Sequence, residues 1–286
     1  MKKLIILALC ISPAHSAVLW TDNFEGYNLA GPADNLETQS AGSWLTDPQN
    51  TAAIAVIANS GLPTSFGGKS LAVGGIDPGG ATTTLGVAYA LSPVEAGFDP
   101  ETSAPFTELS FSADFILNSG TGGSLVDDFR LSFADLKGTE LAALLFTQAL
   151  DGAGAPLPGY ATIVRGNVKQ AYNTQVLIAL NSGFRINLVM SPLLNKWSGS
   201  INELNIGPFS MFANVDLTQN AGPPVPEATI GSFAIDWMKK DGADEWGSNY
   251  LIADNFILQS QTPVPEPSVP LMISVFTLGA FLRRRR

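Results

Sequence analysis

The chain has 286 residues, 45% of them hydrophobic, and 25 acidic against 15 basic side chains give it a formal net charge of −10. A surface of that sign repels a polyanion, which excludes nucleic acid as a partner. Cys10 and His15, the single cysteine and histidine, both lie within residues 1–16, so the remainder has no disulfide, thiol nucleophile, Ser-His-Asp triad or His/Cys zinc site. Paired-carboxylate chemistry and hard-cation binding stay open.

In chain order, Lys2-Lys3, the apolar run Leu4 to Ile11 and Ala14-His15-Ser16 have the charge, hydropathy and small-x-small ending of an export signal cut after Ser16. Leu9 stands before Cys10 where a lipidated cysteine needs a small residue. The predicted signal peptide is therefore 1–16, and the segment after it, 17–260, reads as one domain. Roughly 245 residues suit a single large β-sandwich.

Turn-forming Gly, Pro, Ser and Asn interrupt this segment every eight to fifteen residues or so, with short runs of strand length between them. Leu109, Phe111, Ala113, Phe115 and Leu117 alternate with Ser110, Ser112 and Asp114, which predicts a strand with one apolar face. Phe129, Leu131 and Phe133 repeat the pattern. So do Phe184, Ile186, Leu188 and Met190, and again Phe233, Ile235 and Trp237. Leu141 to Phe146 and Thr174 to Leu180 are solid apolar runs, also read as strands. Gly152 to Pro158 and Asn220 to Pro226 read as rigid loops. Gly67-Gly68, Gly74-Gly75 and Gly79-Gly80 read as tight turns with positive φ. No sustained helical period and no strand–helix alternation occur. The expected fold is all-β, an antiparallel two-sheet jelly-roll sandwich.

The segment opens on Trp20-Thr-Asp-Asn-Phe-Glu-Gly-Tyr27 and closes on Ala253-Asp-Asn-Phe-Ile-Leu-Gln259. Asp-Asn-Phe at both ends predicts that the first and last strands are neighbours with both phenylalanines buried. With these ends, Phe184 to Met190 followed by Asn195-Lys196-Trp197-Ser198-Gly199 resembles the paired central strands of the concanavalin A-like lectin and glucanase sandwiches. That resemblance spans Val18 to Gln259.

Beyond it, 261–286 holds an extended tether, then Val264-Pro265-Glu266-Pro267, an apolar run to Leu282, and Arg283, Arg284, Arg285 and Arg286. A rigid Pro-rich motif, a hydrophobic stretch and a cationic stop suit an anionic cytoplasmic leaflet. The three blocks in this order resemble the PEP-CTERM sorting signal. The resemblance implies a C-terminal hydrophobic anchor helix, processing by an exosortase-type membrane enzyme near the Pro-Glu-Pro, and a final place at the cell surface or in the extracellular matrix. Without Lys2, Lys3 and the four arginines, nine of the 15 basic residues remain; without Glu266, 24 of the 25 acids remain, a net −15.

Three kinds of site come into question. Retaining glycosidases need two carboxylates about 5–5.5 Å apart, and the glucanase relatives use Glu-x-Asp-x-x-Glu. That run is absent; Asp127-Asp128, Asp241/Asp244/Glu245 and Glu203 are the nearest acids, none in same-strand register. No catalytic residue is assigned, and glycoside hydrolysis is the alternative function. A structural calcium ion could be held by Asp22, Asn23, Glu25 and Asp254, with Asn255 beside them, if the end strands pair; no cofactor is required. Trp44, Trp197, Trp246 and Tyr250 stand in Gly/Ser/Asn-rich contexts and are the candidate stacking platforms for a glycan. The sequence reading is thus an exported, non-catalytic sandwich, structural or weakly polysaccharide-binding.

Overall fold

The computed structural model of the protein describes residues 16–29, 35–46, 52–63, 65–78, 83–91, 108–119, 123, 125–135, 138, 140–166, 172–191, 196–210, 230–240 and 243–261. The proposed signal sequence before Ser16, the Asn220 to Pro226 loop, Gly79-Gly80 and the tether and anchor beyond Gln261 lie outside them. No helix among the described residues is long and apolar enough to cross a membrane.

Two antiparallel sheets pack face to face. In spatial order the first holds β13 (Leu204–Ser210), β12 (Lys196–Ile201), β11 (Gly183–Ser191), β6 (Glu108–Asn118), β15 (Tyr250–Gln261), β4 (Lys69–Gly74) and β3 (Ile54–Ala58). β1 (Ser16–Asp22) pairs with the C-terminal half of β15. The second sheet holds β10 (Tyr172–Ala179), β9 (Pro156–Gly166), β8 (Glu140–Leu150), β7 (Asp128–Asp135), β14 (Ile230–Met238), β5 (Thr84–Ala90) and β2 (Trp44–Thr46). The one described helix, α1 (Leu36–Gln39), is a single turn capped by Asn35.

The alternating segments supply the core as expected. Phe111, Ala113, Phe115 and Leu117 of β6, Phe184, Ile186, Leu188 and Met190 of β11, and Phe233, Ile235 and Trp237 of β14 are buried in one cluster. Period-two alternation puts these side chains on the inner faces. Leu141 to Phe146 lies in β8, a strand as expected.

Three local expectations change. Lys196–Ile201 does pair with β11, but β12 is second from the sheet edge rather than central. The Gly152 to Pro158 loop is shorter, because β9 already begins at Pro156; Asp151 Oδ1 accepts from the amides of Ala153 and Ala155 and closes the turn. Gly74 and Gly75 do take positive φ, 102° and 81°, whereas Gly67 and Gly68 do not. A Cβ on Gly67 would run into Glu25 Oε1, so these two glycines answer to close approach rather than to backbone handedness.

The end strands meet as expected: Asp22 stands opposite Phe256, and Phe24 and Phe256 are both fully buried, their ring centroids 5.7 Å apart in an edge-to-face arrangement. A bulge in β15 makes this possible. Its register shifts between Asp254 and Ile257, and Asn255 takes φ 53°. Before the bulge Leu251 and Ala253 face the core; after it Phe256 and Leu258 do. One inserted residue switches the inward parity from odd to even.

Candidate functional site

β1 ends beside the helical turn and the inner edge of β5, and the segment after it does not run straight on. Phe24 adopts φ 57°, held by its amide donating to Asp22 Oδ1 at 2.9 Å. This turn drops the Phe24 ring into the core and brings Tyr27 back over Asp22. An open groove of about 640 Å³ results, lined by Trp20, Thr21, Asp22, Asn23, Gly26, Tyr27, Asn28, Gln39, Ser40, Ser43 and Tyr89. That volume lies within the ~300–1,000 Å³ of small-molecule sites.

Asp22 is its organising residue. Oδ2 accepts from the Tyr27 hydroxyl at 2.9 Å and from the Trp44 indole at 2.8 Å. Burial, reinforced by the Asp22 charge, pushes the Tyr27 hydroxyl far above its ordinary titration range, so it remains a donor at every physiological pH. The opposite wall is tied to the segment after β1 by Gln39, whose Oε1 accepts from the Asn28 amide at 2.5 Å. Trp20 stands at the back, its ring 4.3 Å from Tyr89 and 5.3 Å from Phe233. It is half-buried, so its inner side rests on the core while the rest lines the groove. The groove therefore offers aromatic surface, amides and hydroxyls, with Asp22 as the one carboxylate among the described residues of its lining.

The sequence-derived platforms fall elsewhere. Trp44 is 0% exposed and Trp197 2%; a buried indole has no free face for a sugar, so both leave the set of stacking platforms. They are buried because β2 and β12 turn them onto the inner faces of their sheets. Trp44 still serves the groove, from behind, by fixing Asp22. Trp246 is half-buried with its ring 4.2 Å from that of Trp237, and Tyr250 packs on Phe66, Ile116 and Ile252 on the outside of the first sheet. Neither lines the groove. Trp20 and Tyr27, which do, were both in the opening aromatic segment; their signal was the run of Asp and Asn between them.

Of the residues considered for calcium, Glu25 and Asp254 face the turn at 67–70, whereas Asp22 faces Tyr27 and Trp44. Protein donors meet their oxygens. Asp254, fully buried, accepts from the Gly67 amide and the Ser70 hydroxyl at 3.0 Å each and from the Asn255 amide at 2.7 Å. Glu25 accepts from the Gly68 and Lys69 amides, and Asn23 Oδ1 from the Glu25 amide at 3.4 Å. Three successive amides thus face two carboxylates, an anion nest filled from within the chain. Desolvation, with the Glu25 charge adding to it, raises the Asp254 carboxyl above its ordinary value. No group of three or more Asp, Glu, His or Cys side chains is placed to hold a metal among the described residues.

Of the acids weighed for hydrolysis, Asp127 and Asp128 lie against the segment 240–247, and Glu203 lies on a separate hairpin. Asp127 is fully buried, its carboxylate accepting from the amides of Gly247 at 2.6 Å and Lys240 at 3.3 Å, and burial raises its pKa. Its neighbour Asp128 lies 4.0 Å from Lys240 Nζ. Glu203 sits at the tip of the β12–β13 hairpin, where Asn202 and Glu203 take φ 45° and 70°, the geometry of a two-residue turn. Asp244 and Glu245 are exposed, and Asp241 lies outside the described residues. So do the sorting-motif residues Val264, Pro265, Glu266 and Pro267 and the four terminal arginines.

No family model matches the chain, and no curated protein matches it. Solved structures do. A sialidase superposes with a TM-score of 0.51 at 13% identity over 85% of this chain, which spans 18% of the sialidase's length. A carbohydrate esterase from Shiga toxin-encoding bacteriophage phi24B superposes with a TM-score of 0.50 at 10% identity, over 87% of this chain and 100% of the other. Domain 4 of an extracellular arabinanase from Geobacillus stearothermophilus, solved with arabinotriose, gives 0.41 at 11% identity, over 87% and 95%. At these identities the sialidase and esterase superpositions speak to the β-sandwich fold alone.

Proposed function

We propose that this protein is an exported, non-catalytic carbohydrate-binding sandwich of the concanavalin A-like kind. Its C-terminal segment would act as a PEP-CTERM-type signal, processed by an exosortase-type enzyme on the way to the cell surface or matrix. The observation that carries the binding reading is the groove over β1. Sugars present apolar C–H faces and a rim of hydroxyls that both donate and accept. Trp20 and Tyr27 match the faces; Thr21, Asn23, Asn28, Gln39, Ser40 and Ser43 match the rim. The name of the esterase neighbour, a carbohydrate esterase, supports the same choice of ligand.

Hydrolysis is disfavoured by the lining. A glycosidase flanks the scissile bond with two carboxylates, and Asp22 stands alone with its oxygens engaged. The reading calls for no metal, and the protein donors that meet the end-strand carboxylates support that.

The test is affinity electrophoresis on gels containing soluble polysaccharides, with a parallel assay for new reducing ends. Retardation without turnover is expected, lost in Asn23→Ala/Asn28→Ala with the melting temperature unchanged, and unaffected by EDTA. Retardation untouched by that double variant would remove the groove from the reading. Turnover abolished by Asp128→Asn or Glu203→Gln would replace binding with catalysis.

A further inference from the structure

We infer that the groove selects uncharged glycans and rejects polyuronates and other anionic polysaccharides; this rests on the glycan-binding reading above and names the class of ligand. Among the described residues, no Lys, Arg or His contributes to the lining. The strong contacts to a carboxylate or sulfate at a protein surface come from such groups, above all the planar guanidinium fork. Here the charge at the floor is negative: Asp22, held in place by the Phe24 amide, Tyr27 and Trp44.

The base that reaches this segment from behind does not change the sign. Lys69 Nζ donates to the backbone carbonyls of Glu25 and Tyr27, so it braces the wall of the groove without entering it. The remaining polar groups of the lining, amides and hydroxyls, are neutral hydrogen-bonding partners suited to sugar hydroxyls. Around them lies a chain of net charge −10, which adds long-range repulsion toward any polyanion. A negative floor, a neutral rim and an acidic surround all act in one direction. They tolerate a neutral polymer and oppose one that carries a carboxylate on every ring.

The experiment compares soluble starch and a mixed-linkage β-glucan, as neutral probes, with polygalacturonate and alginate, at low salt and at 0.5 M NaCl. The full chain is expected to be retained by at least one neutral probe. It should bind the polyuronates about tenfold more weakly or worse, the size of effect a single close, partly screened charge produces. Neutral retention should change little with salt, because no ion pair forms. Asn23→Lys and, separately, Asn28→Lys place a cation on the exposed rim, and each should narrow the gap toward the polyuronates. Wild-type retention by polygalacturonate or alginate equal to or tighter than by the neutral probes overturns the charge selection and leaves glycan binding standing. Failure of both folded lysine variants to gain polyuronate retention overturns it too. No retention by any probe sinks the binding reading itself, and this inference with it.

Discussion

The two Asp-Asn-Phe segments are identical in sequence, are brought side by side by strand pairing, and do different work. In each, one residue takes a left-handed backbone, but not the same one: Phe24 at φ 57° in the first copy, Asn255 at φ 53° in the second. The first copy ends a strand; the second forms a bulge inside one. Asp22 remains half-buried and takes its donors from Tyr27 and Trp44, which leaves it at the floor of a groove. Asp254 is fully buried and takes its donors from Gly67, Ser70 and Asn255, which makes it a bolt between β15 and the β3–β4 turn. Only the phenylalanines converge, on one core. The contrast teaches that a motif's role is set by where the strand ends, because that decides whether its carboxylate meets solvent or loop.

The largest expected effect breaks the shared part. The Phe256 ring lies within 5.6 to 6.1 Å, centroid to centroid, of those of Trp20, Phe24, Trp44, Phe111, Phe115 and Phe233. Phe256→Ala is expected to cost about 3–5 kcal/mol in denaturant unfolding, from lost burial and the cavity left behind. A loss below about 1 kcal/mol would mean that the two segments are not joined through the core.

The next sharpens the difference between the aspartates. Asp254→Asn sets an amide N–H against the donors that Asp254 now satisfies, and should cost about 1–3 kcal/mol at neutral pH. Its pH dependence is a second readout. Because burial raises the Asp254 carboxyl in the folded state, the fold binds that proton more tightly than the unfolded chain does. Stability from this residue therefore rises as pH falls through its folded titration point, and the gain is complete below the unfolded value of about 3.9. Wild type minus Asp254→Asn, followed as melting temperature from pH 7 to pH 4, should show that rise; a flat difference would refute it. Asp127 and Asp236, raised by burial as well, contribute a slope of the same sign in both proteins.

A smaller effect belongs to the groove. Tyr27→Phe removes one of the three donors on Asp22 and should cost about 0.5–1.5 kcal/mol, together with a drop in polysaccharide retention that Asp254→Asn does not share. Asn28→Ala, on the exposed rim, should move stability by no more than about 0.5 kcal/mol while weakening retention. If Asp254→Asn and Asn28→Ala affect retention alike, the division of labour between the two copies is wrong.

The sequence carried the alternation of β6, β7, β11 and β14, the strand nature of Leu141 to Phe146, and the pairing of the first and last strands. It also carried the poverty of chemistry: no His or Cys beyond residue 15, and no acids in catalytic register. These are legible because residue type and a two-residue period are local quantities that fix which faces are apolar. The groove was not legible as a site, although Trp20, Asp22, Asn23 and Tyr27 stood in plain view, since it also needs Gln39 from α1, Ser40 and Ser43 from the turn after it, and Tyr89 from β5. Nor could sequence separate Trp44, which is buried behind the groove, from Trp20, which lines it. Both are tryptophans amid small polar residues, and only the packing of two sheets decides which face of a ring is covered. The same holds for Gly67 and Gly68. A glycine pair announces a turn, but the reason for these two is the Glu25 carboxylate, more than forty residues away along the chain, which strand pairing brings against the turn.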